Sequence, residues 1–308
     1  LLSMGTAIMG PEVYLKALHE FFRGRELTAG VWEEQESKLY RPLLSQYQQD
    51  GYRQLLRIAG RYNGALLCDG VGLGKTFIAL MLIERMLHDR KRVAVIVPKS
   101  TRDAVWETLI RRHISNARGV FGRNVVVYNH TDLLRGASFD RDFPAELEET
   151  RQNSDVIIVD EAHNFRSPSS QRAQKLFELC EGKQVFLLTA TPINNSLFDL
   201  EHLLEFFTRR DDARFAHLGI NSVRGYLVQK EKIITQKIAE KMGGEEPAEY
   251  DVVEAEKILQ DDRLFREAVV QRSRAYVMER EKSGSRSPVF PGRVPPAVAD
   301  YELSKPYA

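Results

Sequence analysis

Lys75 and Thr76 close the run DGVGLGKT (69–76), in which glycines stand at 70, 72 and 74. Such a run suits one kind of chemistry. Successive backbone N–H groups turn inward onto phosphate oxygens, a lysine adds mobile positive charge, and a hydroxyl joins Mg2+ beside them. The candidate phosphate-binding residues are therefore Asp69, Gly70, Val71, Gly72, Leu73, Gly74, Lys75 and Thr76, with the three glycines allowing the tight backbone. Asp69 stands where the strict pattern has its first glycine. A glycine-rich turn that merely opens a helix is the bland alternative. A second constellation, DVIIVDEAH (155–163), carries two adjacent acids, Asp160 and Glu161. Side chains alternate across a strand end, so one acid can face a metal while the other faces a water beside a γ-phosphate. Asp160 is assigned with Thr76 to Mg2+ and Glu161 to the water, so that Lys75, Asp160 and Glu161 are the catalytic candidates. Acids after a strand are otherwise turn formers or helix caps. Their place downstream of a phosphate loop favours the chemical reading.

What must hold these residues is a set of short apolar runs: GALLCD (64–69), RVAVIVP (92–98), NVVVYN (124–129), DVIIVD (155–160) and QVFLLTA (184–190). They are rich in Val, Ile and Leu with little alternation, as strands covered on both faces are. Helical patterns at 76–88, 101–113 and 170–180 separate several of them. That alternation predicts an α/β fold with a parallel sheet covered by helices. Past residue 195 the pattern turns helical: Leu197, Leu200, Leu203, Leu204 and Phe207 share a face, and 248–280 reads as a long, charged, periodic helical stretch. GGEEP (243–247) and SGSRSPVFPGRVPP (283–296) read as loop and linker. Residues 1–42 read as mostly helical.

Composition narrows the function classes. With 43% hydrophobic and 28% charged residues in 308, the sequence is that of an ordinary folded chain. Lys plus Arg number 44 against 43 acids, so attraction to nucleic acid must come from a local surface. Two cysteines, Cys68 and Cys180, are too few for a disulfide framework and fit a reducing compartment. No apolar run has the length of a membrane helix and no signal peptide opens the chain, so no membrane partner is expected. A start at Leu1 suggests a longer gene product.

DGVGLGKT, DEAH and LLTATPINNSLFDLEHLLEFF together resemble the first RecA-like lobe of superfamily 2 helicase-like ATPases, and within them the Swi/Snf group of DNA translocases. Asp at the first loop position belongs to that resemblance. It implies a P-loop NTPase lobe with ATP and Mg2+ as cofactors and double-stranded DNA as partner. LLSQYQQDGYRQLL (43–56) is similar to the adenine-recognition segment, in which Gln48 bonds the base while Tyr47 and Gly51 keep the local shape. The resemblance gives His163, Thr189 and Thr191 the coupling of nucleotide state to DNA; Ala190 and Asn194 depart from the group's usual Gly and Gln.

Lys99, Ser100, Thr101, His130 and Thr131 resemble DNA-tracking positions, at strand-to-helix transitions where hydroxyls and N–H groups hold phosphates without reading bases. Arg102, Arg111, Arg112, Arg118 and Arg123 add charge nearby, with a solvated helix face as an even alternative, and Trp106 is expected in the core. The implied organisation is an N-terminal helical extension (1–42), a RecA-like ATP-binding lobe (43–208), a helical insertion (209–282) and a linker (283–308) toward a second RecA-like lobe. Without that lobe the chain is expected to be nearly inactive. DEAHNFRSPSSQ resembles bacterial or archaeal members, which favours a cytoplasmic, nucleoid-associated protein, or a nuclear one if eukaryotic. An RNA helicase of the same superfamily, and an ATP-dependent switch or scaffold that does not translocate, remain as alternatives.

Overall fold

Runs of Val, Ile and Leu without polar alternates are satisfied only where both strand faces are covered, and the computed structural model places them there. It describes residues 32–114, 122–138, 141–194, 196–241 and 261–273, with Leu259 and Val277 besides. Helix α1 (Gln46–Tyr62) leads into β1 (Gly64–Leu67), and α2 (Lys75–His88) carries the chain to β2 (Val93–Val97). A helical turn (Lys99–Thr101), a π-helical stretch (Arg102–Glu107) and α3 (Thr108–His113) follow. Then come β3 (Val125–Asn129), α4 (Phe143–Asn153), β4 (Val156–Val159), α5 (Gln171–Leu179), β5 (Gln184–Leu188) and α6 (Phe198–Thr208). Last are α7 (Val223–Lys241), α8 (Arg263–Ala268) and β6 (Val269–Val270).

The strands form one sheet in the order β3-β2-β4-β5-β1-β6, and every pairing is parallel. All C-terminal strand ends therefore share one edge, where open α/β sheets hold their ligands. Leu66 in β1 lies between Leu187 of β5 and Val269 of β6. The fold class agrees with the sequence reading, and all five apolar runs are strands. One hydrophobic cluster joins the sheet to α1, α2 and α6, with Trp106, Phe165, Phe186 and Phe207 among its largest side chains. Trp106 is core, as expected. Leu197, Leu200, Leu203, Leu204 and Phe207 are all buried, as their shared face requires.

Two elements differ from the sequence reading. Within the stretch read as helical at 248–280, α8 stops after one and a half turns or so and Val269 and Val270 pair with Leu66 and Leu67. The β-branched pair covers the edge of β1 that would otherwise be bare, and this pairing overrides helical periodicity. Helix α4 went unforeseen because it buries only Phe143 and Thr150; its signal was local, with Asp142 accepting from Ala145 N (3.1 Å) and a proline in the first turn. Of the N-terminal extension, residues 1–31 lie outside the described residues. Its remainder is attached through buried Leu39 and Tyr40, and through Glu33, which accepts from Tyr52 (2.6 Å) and Arg85 (2.9 Å). Residues 283–308 also lie outside the described residues.

Candidate functional site

β1 ends at Leu67, but the hydrogen-bond ladder runs on into the glycine loop. Cys68 N donates to Val270 O (2.7 Å) and Gly70 N to Arg272 O (3.3 Å). The far side of the loop is held by its Leu73 carbonyl, which accepts from the Tyr47 hydroxyl (2.9 Å) and the Gln48 amide (3.1 Å). Gly72 (φ 82°) and Gly74 (φ 76°) occupy left-handed backbone that side chains rarely adopt, and a Cβ on Gly74 would also run into the Gln48 amide. Gly70 has no such need: a Cβ there would meet Leu73 Cδ1 at 3.7 Å. Gly74 is the N-cap of α2, so the loop delivers its N–H groups at a helix N-terminus. Val71 is 68% exposed at the tip, Leu73 is buried, and Thr76 is half-buried in the first turn of α2. Lys75 Nζ donates to the Asp69 carbonyl (2.9 Å).

Asp69 needs correction. The sequence reading grouped it with the phosphate-binding residues, but its carboxylate is 0% exposed and turned away into a bidentate pair with Arg272. One arm is Arg272 Nε to Oδ1 (2.9 Å) and the other joins Arg272 Nη2 to Oδ2. Burial pushes the Asp69 carboxyl up, and the hydrogen bonds and charge of Arg272 pull it back. Only the backbone of Asp69 faces the loop. Arg272 is the functional-site residue that the sequence reading missed. A buried carboxylate at a strand end calls for a cation, yet the partner lies 203 positions later.

Gln48 is likewise engaged by protein at both ends of its amide: Nε2 donates to Leu73 O, and Oε1 accepts from Ser45 N (3.0 Å). It bolts the start of α1 to the phosphate loop.

Across the sheet edge, Asp160 N continues the β2–β4 pairing by donating to Ile96 O (2.9 Å). Its carboxylate accepts the Trp106 indole N–H on Oδ2 (2.9 Å) and the Glu161 N–H on Oδ1 (3.0 Å). The π-helical stretch supplies the indole; such local widenings recur at functional sites. Burial pushes the Asp160 carboxyl up, while the Trp106 hydrogen bond and the charge of Lys75 act the other way. Glu161 sits in left-handed backbone (φ 49°, ψ 49°), a conformation costly for a residue with a side chain. Its Oε2 lies 3.2 Å from His163 Nδ1, which is 3.1 Å from Thr189 Oγ1. Thr189 is fully buried, donates its N–H to Leu67 O (3.0 Å), and accepts from Thr191 N (3.2 Å). Glu161, His163, Thr189 and Thr191 thus form a continuous polar chain from the end of β4 to the end of β5.

The candidate DNA contacts separate. Lys99, Ser100 and Thr131 are exposed at the ends of β2 and β3, while the Thr101 hydroxyl is turned back to Pro98 O (3.1 Å). His130 is a second correction. It is 5% exposed, edge-on to Phe165 (4.8 Å between centroids), with Nε2 2.8 Å from the Asp160 carbonyl. A carbonyl only accepts, so Nε2 carries the proton. Burial holds the imidazole neutral, with its pKa down at about 4. A buried neutral ring supports the Asp160 backbone and does not reach a surface phosphate. Arg102 and Arg111 both face Glu107 (3.2 and 3.3 Å), Arg112 and Arg123 are exposed, and Arg118 lies outside the described residues.

The chain is similar to proteins of known family. The SNF2 domain-containing protein ENL1 of Oryza sativa subsp. japonica is 29% identical over 231 residues, covering 65% of this chain and 23% of that protein. The ISWI chromatin-remodeling complex ATPase CHR11 of Arabidopsis thaliana is 32% identical over 174 residues, covering 52% of this chain and 16% of that protein. The chain spans about a quarter or less of the length of such curated relatives. The Sulfolobus solfataricus SWI2/SNF2 ATPase core, solved in complex with dsDNA, superposes with a TM-score of 0.50 at 17% identity, over 77% of this chain and 46% of that one. That likeness supports the RecA-like sheet. The SNF2-related domain family matches residues 47–212, more than half of the sequence and every element of the site before β6, and the chain belongs to that family.

Proposed function

We propose that the chain is the ATP-binding lobe of a double-stranded-DNA-dependent ATPase that couples hydrolysis to movement along DNA. The observation that carries this reading is the edge itself: Lys75, Asp160 and the Glu161–His163–Thr189–Thr191 chain meet where parallel strands end. In the proposed roles, Lys75 neutralises phosphate charge, Glu161 orients the attacking water, and His163 and Thr189 carry the state of that site toward the DNA side.

The donor set fits Mg2+. Among the described residues no three His, Cys, Asp or Glu side chains gather into a site of their own. Mg2+ in phosphoryl transfer is held through one or two protein oxygens plus the substrate phosphates. Asp160 and Thr76 are the residues proposed to hold it, and when bound it supplies charge neutralisation on the phosphate oxygens. A second RecA-like lobe is proposed to complete the wall opposite, including the arginine charge such reactions use. One of the named sequence relatives is a chromatin-remodeling ATPase of a plant, which favours a nuclear location; the prokaryotic preference has no support among the named sequence relatives.

In the full-length protein Lys75→Ala is expected to weaken nucleotide binding, whereas Glu161→Gln keeps binding and blocks DNA-stimulated turnover. Fluorescent-nucleotide titration alongside phosphate release separates the two. Equal loss of affinity in both variants contradicts the division of roles.

A further inference from the structure

The geometry points to Arg272 as a positioning residue for the phosphate loop, with Asp69 as its receptor; the inference rests on the nucleotide-binding reading above. Arg272 is only 9% exposed. Its guanidinium spends all three nitrogens on two neighbours: Nε (2.9 Å) and Nη2 on the Asp69 carboxylate, and Nη1 on the Tyr47 carbonyl. The Tyr47 ring lies 5.4 Å beneath it. Gly51, one turn along α1, makes room for it, since a Cβ there would run into the guanidinium.

These contacts converge on the loop. The Arg272 carbonyl accepts the Gly70 N–H (3.3 Å), the Asp69 carbonyl accepts Lys75 Nζ (2.9 Å), and the Tyr47 hydroxyl holds Leu73 O (2.9 Å). Arg272 therefore fixes the residue that opens the loop, and through Tyr47 it joins the same helix that fixes the residue before Gly74. Asp69 transmits this to Lys75: its carboxylate answers Arg272 while its carbonyl seats the ammonium. Aspartate at this position serves as the receptor of a brace built from the end of β6, which is why a carboxylate is tolerated beside a phosphate site.

A bidentate guanidinium pair is not replaced by a lysine. Removing one partner leaves the other charge buried and uncompensated, which perturbs more than removing both. The test uses the 308-residue chain with Arg272→Gln, Arg272→Lys, Asp69→Asn and the double variant Asp69→Asn/Arg272→Gln. Each is titrated with a fluorescent ATP analogue and followed by thermal unfolding. Arg272→Gln should weaken nucleotide affinity by about tenfold or more in protein that is still folded, and Arg272→Lys should recover only part of it. The double variant should bind more tightly than the product of the single effects allows, because an amide pair leaves no lone buried charge. A merely structural role would lower the unfolding temperature and leave the affinity of the folded fraction unchanged. If the wild-type chain binds and folded Arg272→Gln or Arg272→Lys binds equally well, the inference is overturned alone. Additive loss in the double variant also overturns it. A wild-type chain that binds no nucleotide overturns the nucleotide reading and this inference with it.

Discussion

Asp160 receives one hydrogen bond on each carboxylate oxygen, and the donor on one side is an indole from a π-helical turn 54 positions earlier. The indole does two things: it fills the core under the sheet edge and it fixes the carboxylate rotamer. Trp106→Phe keeps most of the volume and removes the N–H. The expected result is a loss of about 1–2 kcal/mol in stability and a several-fold fall in nucleotide affinity with Mg2+, with little change without it. Paired titrations in Mg2+ and in chelator check this. Trp32 and Trp106 are the only tryptophans in the sequence, so a Trp32→Phe background isolates the Trp106 fluorescence as a second readout. The placing of Lys75, Asp160 and Glu161 at the strand ends was legible in the sequence because it follows from short, contiguous patterns. The burial of His130 and the turning of Asp69 toward Arg272 were not, because each depends on what a distant strand end places beside it.

At the scale of elements, legibility followed how much of the cause was local. β1 to β5 were readable because each is a run of apolar residues covered on both faces. β6 was not: two valines carry no period, and the edge they cover belongs to β1. What delivers them is α8, and α8 begins at a strong cap. Asp262 accepts from Leu264 N (2.9 Å) and Phe265 N (3.3 Å) and pairs with Lys230 on α7 (2.8 Å). Burial alone would raise its carboxyl; the Lys230 and Tyr226 hydrogen bonds hold it below the ordinary 3.8. A carboxylate with a depressed folded-state pKa stabilises the fold above its unfolded value, and that contribution fades as pH falls through the folded value. Asp262→Asn keeps a capping oxygen and loses the charge that Lys230 and Tyr226 answer, so it should cost about 1.5–3 kcal/mol near neutral pH, and the gap to wild type should narrow below pH 3.8. Denaturant unfolding at pH 7 and near pH 3.5 measures both arms. A gap that widens in acid contradicts the assignment.

At the scale of the whole molecule, a formal charge of +1 provides no general attraction to DNA. The duplex binding proposed above is therefore assigned to a local surface, the exposed residues at the ends of β2 and β3, Lys99, Ser100 and Thr131 among them. Lys99→Glu is expected to weaken duplex binding across all sequences and to lower the slope of log K against log salt by about one, with nucleotide affinity unchanged. Anisotropy titrations at several salt concentrations test it; strong preference for one duplex sequence would count against phosphate tracking. The two-residue strand β6 has another consequence, in time. Cys68 and Gly70 donate their N–H groups to the Val270 and Arg272 carbonyls, so the loop whose glycines leave the ribosome early is finished by residues that leave some 200 positions later. During synthesis the nascent chain can pair its central strands well before its phosphate loop is set. The proposed nucleotide site therefore cannot take its described form until β6 has been made.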